Sequence, residues 1–247
     1  MKQFRGELLL IIATLVWGTA YVFQSTATAY LGAFTFNGLR FLLGAISLIP
    51  LIFIRTKFEF DMKKCLKLGV VIGICICLAS NLQQIGIAYT TVGKAGFITS
   101  LYMVLVPLFG YIFFKEKITK ILMVSIILAL LGLFILCGAI LDLNSSDIIL
   151  LLGATLFAVQ IVLVGHFASH VDAIILSFIE YAVCGGISII LGLIFEDVQI
   201  QNIFDARYSI LYTGVLSTGL SYTLQIIGQK DCKPAVASLI MACEALI

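Results

Sequence analysis

Hydrophobic and polar positions in this chain segregate into long blocks instead of alternating. Continuous apolar runs occupy 8–28, 33–54, 66–89, 95–114, 121–141, 148–167, 173–195 and 208–228, and a ninth opens near Ala235. Each of the eight is about 20 residues long, enough to carry an α-helix across about 30 Å of hydrocarbon at 1.5 Å per residue. A membrane barrel would alternate apolar and polar residues along strands of about 10 residues, and these runs do not. The pattern therefore predicts an all-α polytopic membrane protein.

Composition points the same way. Of 247 residues, 62% are hydrophobic and 11% charged, with a mean hydropathy of +1.16. A soluble domain carries roughly 25% charged residues and has a large surface to cover with polar groups. A secreted, cytosolic or nucleic-acid-binding globule is excluded, and the lipid bilayer becomes the principal partner. The net charge of +2 gives no reason to expect a polyanion. Cys65, Cys75, Cys77, Cys137, Cys184, Cys232 and Cys243 are scattered through apolar sequence without metal-ligand spacing. They read as packing residues, not as a disulfide framework. The first run, preceded by Lys2 and Arg5, superficially imitates a signal peptide, but it is too long and carries Trp17 and Tyr21. Asn144-Ser145-Ser146 has the form of a glycosylation sequon, yet its short loop lies tight against the membrane, so chance explains it better.

The basic residues give an orientation. Lys2 and Arg5, then Arg55, Lys57, Lys63, Lys64 and Lys67, then Lys115, Lys117 and Lys120, then Lys230 and Lys233 all fall on the side of the amino terminus. Only Lys94 and Arg207 fall on the other, and Arg40 lies inside the second span. Lys and Arg accumulate in cytoplasmic loops, so the amino terminus is expected inside and the protein in the cytoplasmic membrane.

An internal repeat is also present. Ala13-Thr14-Leu15 recurs as Ala154-Thr155-Leu156, and Ile46-Ser47 as Ile187-Ser188, both at an offset of 141. Leu82-Gln83, Ile85-Gly86 and Ala95 recur as Leu224-Gln225, Ile227-Gly228 and Ala237 at 142. Short apolar matches are cheap, and it is the shared register that gives them weight. Five spans per repeat, an odd number, make the second half inverted with respect to the first. The expected division is 1–142 and 143–247. With Trp17-Gly18, Leu39-Arg40-Phe41, Ala88-Tyr89, Thr91, Ala95, Pro107, Glu116-Lys117-Ile118-Thr119, the run 234–239 and Glu244 in this order, the whole chain resembles the EamA-like members of the drug/metabolite transporter superfamily. The resemblance implies ten helices in two inverted five-helix repeats, export as the direction, and two more helix segments than the chain contains. The 13 residues from Ala235 make about 20 Å of helix, short of the bilayer, so a fragment or truncated product is expected.

Candidate functional residues are the polar side chains that lipid should have excluded. Thr14, Trp17, Tyr21, Gln24 and Thr28 follow steps of 3 and 4 along one face of the first span. That stripe either lines a wet cavity or packs and bonds its own helix. The third span carries Ser80, Asn81, Gln83 and Gln84, whose amides serve either as substrate contacts or as glue between helices. Thr213, Ser217, Ser221 and Gln225 recur at fours in the eighth, with Tyr222 alongside, and Gln83 and Gln225 are repeat mates. Arg40 and Glu180 are intramembrane charges at about 10 Å from opposite faces, a separation that argues against a direct ion pair. Arg40 either snorkels to the headgroups or faces protein, and Glu180 is expected in a cavity or beside a buried partner. Gly93 reads as the turn between the third and fourth spans, and Pro50 and Pro107 as kinks.

These observations predict a secondary transporter of small polar metabolites, working by alternating access. The expected substrate-binding residues are Trp17, Tyr21, Gln24, Gln83, Gln84, Tyr102, Gln160, Glu180, Tyr222 and Gln225. With no ATP-binding loop in the sequence, energy would come from a coupled proton or an exchanged solute. No cofactor, metal or nucleic acid is expected, and no enzymatic activity. His166 and His170 lack the intervening Glu of a metalloprotease helix, and Asp172 is the nearby acid. The competing reading is a membrane binding or assembly subunit without transport activity.

Overall fold

The computed structural model describes residues 2–54, 61–136 and 144–247. Arg55, Lys57, Cys137, the end of the fifth predicted span and the repeat division at 142–143 lie outside these residues. In chain order the helices are α1 (Lys2–Ala27), α2 (Ala33–Ile54), α3 (Met62–Ile87), α4 (Val92–Ser100), α5 (Tyr102–Phe114), α6 (Lys120–Leu136), α7 (Ser145–Phe167) and α8 (Ala173–Phe195). Then come the short α9 (Ile200–Asp205) and α10 (Arg207–Leu211), a π-helical stretch at Tyr212–Tyr222, α11 (Thr223–Gln229), α12 (Pro234–Ala242) and a 3₁₀ turn at Cys243–Leu246. Among the described residues, seven helical segments are long and apolar enough to span a membrane, with α4–α5 and α10–α11 each counted as one.

The bilayer as solvent explains which side chains face where. Leu8, Ile11, Leu15 and Val22 of α1 and Leu193, Ile194 and Phe195 of α8 point outward. The interior holds Thr14, Gln24, Asn37, Arg40, Asn81, Gln83, Gln160 and Glu180 together with the apolar core. Polar groups gather inside because lipid offers them no hydrogen bonds.

Several helix starts carry side-chain caps. Asp61 accepts from the amides of Lys63 and Lys64 before α3, Thr91 from Lys94 before α4, and Asp172 from Ile174 and Ile175 before α8. Asn144 and Asp147 form a reciprocal capping box on α7. Because Thr91 is the cap, Gly93 falls inside the first turn of α4, and the link between α3 and α4 runs through Tyr89 and Thr90 instead. The start of α2 is capped from elsewhere. Glu196, at the end of α8, accepts from the amides of Phe34 and Thr35 at 2.8 Å each. Gly32 is needed there, since a Cβ on it would stand 2.2 Å from the Glu196 carboxyl carbon.

Helix α2 packs along α8, α3 against α7 and α8, and α1 against the π stretch, α11 and α12. Glycines allow the crossings. A Cβ on Gly228 would lie 2.9 Å from the Gly6 carbonyl, and one on Gly185 would lie 2.8 Å from the Leu42 amide. Two contacts join positions 142 residues apart. Ser100 Oγ donates to the Ala242 carbonyl at 3.2 Å, and the Tyr102 hydroxyl donates to Glu244 Oε1 at 3.2 Å. The nine-residue helices α4 and α12 are themselves displaced by 142 and break at corresponding positions.

Helix α7 is tied to α4–α5 at both ends. Far from the amino terminus, Lys94 Nζ lies 2.8 Å from Asp147 Oδ2. At the amino-terminal end, Glu116 Oε1 lies 3.2 Å from His166 Nε2, and His166 Nδ1 lies 2.9 Å from the Val162 carbonyl. Phe114 stacks on the His166 ring at 3.7 Å. Lys115, the one non-glycine at positive φ among the described residues, turns the chain so that Glu116 folds back over Gly110.

Candidate functional site

The α1 stripe meets the rest of the bundle around a central cavity. Trp17, Tyr21 and Gln24 form one wall, with Arg40 of α2, Gln83 of α3, Thr99 of α4 and Tyr102 of α5 beside them. The lining is completed by Phe157, Gln160 and Ile161 of α7, Ser217 and Tyr222 of the π stretch, Gln225 of α11, Met241 of α12, and Glu244. The space open to a water-sized sphere is about 40 Å³. That exceeds the roughly 10–15 Å³ that a single water needs and is small for a metabolite, so a larger solute requires the walls to part.

Aromatic rings and amides hold the walls. Trp17 donates from Nε1 to the Ser217 carbonyl at 3.1 Å, and its ring lies 4.8 Å from that of Tyr222. A carbonyl on a π-wound stretch is well suited to such a partner, because wide turns disturb the regular ladder. Gln83 donates to the Tyr21 hydroxyl at 3.1 Å. Gln225 donates to Gln160 Oε1 at 3.2 Å and to Gln229 Oε1 at 3.0 Å, while Gln229 donates to the Ile161 carbonyl. Gln83 and Gln225, 142 positions apart, thus both reach the cavity.

Eight of the ten predicted binding residues line this space: Trp17, Tyr21, Gln24, Gln83, Tyr102, Gln160, Tyr222 and Gln225. Two do not. Gln84, about 100° around the helix from Gln83, donates to the Gln24 carbonyl at 3.0 Å and ties α3 to α1. It also borders a separate outer pocket beside Tyr30, Tyr89 and Glu196. Glu180 stands behind the wall, where its Oε1 accepts from Gln160 Nε2 at 3.1 Å. Thr14 donates to its own helix at the Leu10 carbonyl.

Arg40 does not snorkel. It is 1% exposed, and its guanidinium carbon sits 4.9 Å from the Phe41 ring centre. Its Nε donates to Asn37 Oδ1 at 2.7 Å. Asn37 Nδ2 donates to the Ser80 carbonyl and to Asn81 Oδ1, and Asn81 Nδ2 donates to Ser188 Oγ. This chain across three helices keeps the guanidinium inside. Sequence reasoning missed Asn37, which lies one turn before Arg40, and it did not assign Thr99, Phe157, Ile161, Met241 or Glu244 to a cavity. A polar residue three positions from an intramembrane Arg was the available signal for Asn37.

The EamA-like transporter family profile matches residues 4–138 and 144–247. An uncharacterized transporter of Archaeoglobus fulgidus is 30% identical over 178 residues, 72% of this chain and 54% of that protein. The match thus spans about half the length of the archaeal relative. The uncharacterized transporter YoaV of Bacillus subtilis is 22% identical over 222 residues, 87% of this chain and 76% of that one. A solved crystal structure superposes with a TM-score of 0.75 at 16% identity, covering 98% of this chain and 84% of the other. At that identity the structural likeness speaks for the fold alone.

Proposed function

The chain belongs to the EamA-like transporter family, and from that premise we propose that it is a secondary transporter holding a small polar metabolite in the central cavity. The observation that carries this reading is the cavity's composition: helices before and after the 137–143 segment both contribute lining residues. Parting the two halves at either end would open the same site to one membrane face or the other. Aromatic faces from Trp17, Tyr21, Tyr102 and Tyr222 would bury the solute's apolar surface, and the amides of Gln24, Gln83, Gln160 and Gln225 would orient it. The contacts between positions 142 apart support two inverted five-helix repeats divided near 142–143. The distribution of basic residues supports an amino terminus on the cytoplasmic side of the cytoplasmic membrane. Export is the direction that the family resemblance favours, driven by a coupled proton or an exchanged solute.

Reconstituted vesicles test the reading. Vesicles loaded with pooled amino acids, sugars, nucleosides and polyamines should release a subset faster than protein-free vesicles. Trp17→Ala, Gln83→Ala and Glu180→Gln should lose that release while staying folded. Leu193→Ala, on the outward face of α8, should keep it. Retention by Trp17→Ala and Gln83→Ala, which line the cavity, and by Glu180→Gln, which removes the charge behind Gln160, would misplace the site, and release equal to empty vesicles would favour a binding or assembly subunit.

A further inference from the structure

Arg40 poses a problem that the packing of the helices does not solve. A guanidinium is permanently charged, and burying a charge without an ionic partner is among the most expensive things a protein interior does. Among the described residues no carboxylate lies within ion-pair distance of Arg40. The guanidinium nevertheless stays inside, positioned through Nε by Asn37 and backed by the Phe41 ring. Its Nη2 has no hydrogen-bond partner. The residue borders the cavity, so the unfilled donor capacity belongs to a group at the edge of a space lined by aromatic rings and amides.

Resting on the cavity as the solute site, we propose that Arg40 is the anion-recognition residue of that site and that the transported solute carries a carboxylate. A carboxylate matches the flat donor fork of a guanidinium with two acceptors and a single charge. A phosphate suits the cavity less well, because Arg40 is the one cationic side chain among the described lining residues and Glu244 also borders the space, so a second negative charge would meet no counter-charge. Asn37 is then a positioning residue. By accepting the Nε–H hydrogen bond while its own amide donates to the Ser80 carbonyl and to Asn81 Oδ1, it fixes the plane of the guanidinium. The solute's negative charge supplies the partner that the fold leaves out, and the cost of burying Arg40 is recovered when solute binds.

The chain contains one tryptophan, Trp17, and it lines the cavity. Its fluorescence in the detergent-purified chain therefore reads occupancy directly, without requiring transport. The probes are acetate and phenylacetate, their neutral amides acetamide and phenylacetamide, and inorganic phosphate. At least one carboxylate should give a saturable change, with its amide binding at least about tenfold more weakly, as expected for loss of a charge-assisted pair. In Arg40→Gln that preference should vanish. In Arg40→Lys it should survive at reduced affinity, since the charge remains and the fork does not. In Asn37→Ala the carboxylate should bind several-fold more weakly with the amide unchanged, a split that general loosening of the fold would not produce. The proposal is overturned if no probe gives a saturable response, if amides or phosphate match the carboxylates, or if Arg40→Gln keeps the preference while Arg40→Lys is folded. A chain that binds carboxylate but moves nothing in vesicles sinks the transport reading alone. One that moves solute without charge preference sinks this proposal alone.

Discussion

The two ends of the α4–α5 and α7 pair are fastened by different chemistry. Far from the amino terminus the fastening is Lys94 with Asp147, whose side chains are 10% and 5% exposed. At the amino-terminal end it is His166 with Glu116, at 21% and 31% exposed, and 3.2 Å apart instead of 2.8 Å. The buried pair sits where water screens little, and removing one partner strands the other. The open pair sits where solvent competes, and such pairs contribute little. His166 also divides its ring between two acceptors, the Glu116 carboxylate and the Val162 carbonyl. If the halves of this molecule part by rocking, the end bearing the histidine is the cheaper one to open.

The largest effect should come from Lys94→Met. It leaves the Asp147 carboxylate buried, with Oδ1 already unpartnered, and should cost about 3–5 kcal/mol of stability in detergent unfolding. Adding Asp147→Asn, which keeps an acceptor for the Asn144 amide, should recover most of that loss. An additive double variant would contradict the pairing. Next is Glu196→Ala, which uncaps α2 at the same end and should cost about 1–2 kcal/mol, with faster hydrogen exchange at Phe34 and Thr35. The smallest should be Glu116→Gln, at less than about 1 kcal/mol. Hydrogen exchange over 110–117 should quicken only slightly in that variant. Equal costs at the two ends would erase the distinction between them.

The spans themselves were legible because continuous apolar runs of membrane length admit few other structures. The stripe of Trp17, Tyr21 and Gln24 was legible because its 3- and 4-residue steps match the helical period and place all three on one face. Adjacent residues defeat that reasoning. Gln83 and Gln84 differ by about 100° around the helix, and period alone cannot say which one faces a cavity whose walls come from elsewhere. Glu180 was displaced for the same reason, since the phase of α8 is set by its packing on α2 and α3. The Lys94–Asp147 pair joins residues far apart in sequence, so only the topology brings them together. The π winding at Tyr212–Tyr222 had no visible mark either. Its residues are ordinary for a membrane helix, and the extra width depends on what α1 and α2 present to it.

That winding gives one helix a form of slack. A π turn closes on the fifth residue and an α turn on the fourth, so the stretch holds more residues per turn than its neighbours. Rewinding it would lengthen the helix and rotate everything beyond it about the axis. Gln225 and Gln229 lie just past the stretch, while Trp17 is bonded to Ser217 within it. The set of side chains presented to the cavity can therefore be exchanged by a local change of pitch, as a screw advances in its thread, with no helix leaving its place in the bundle.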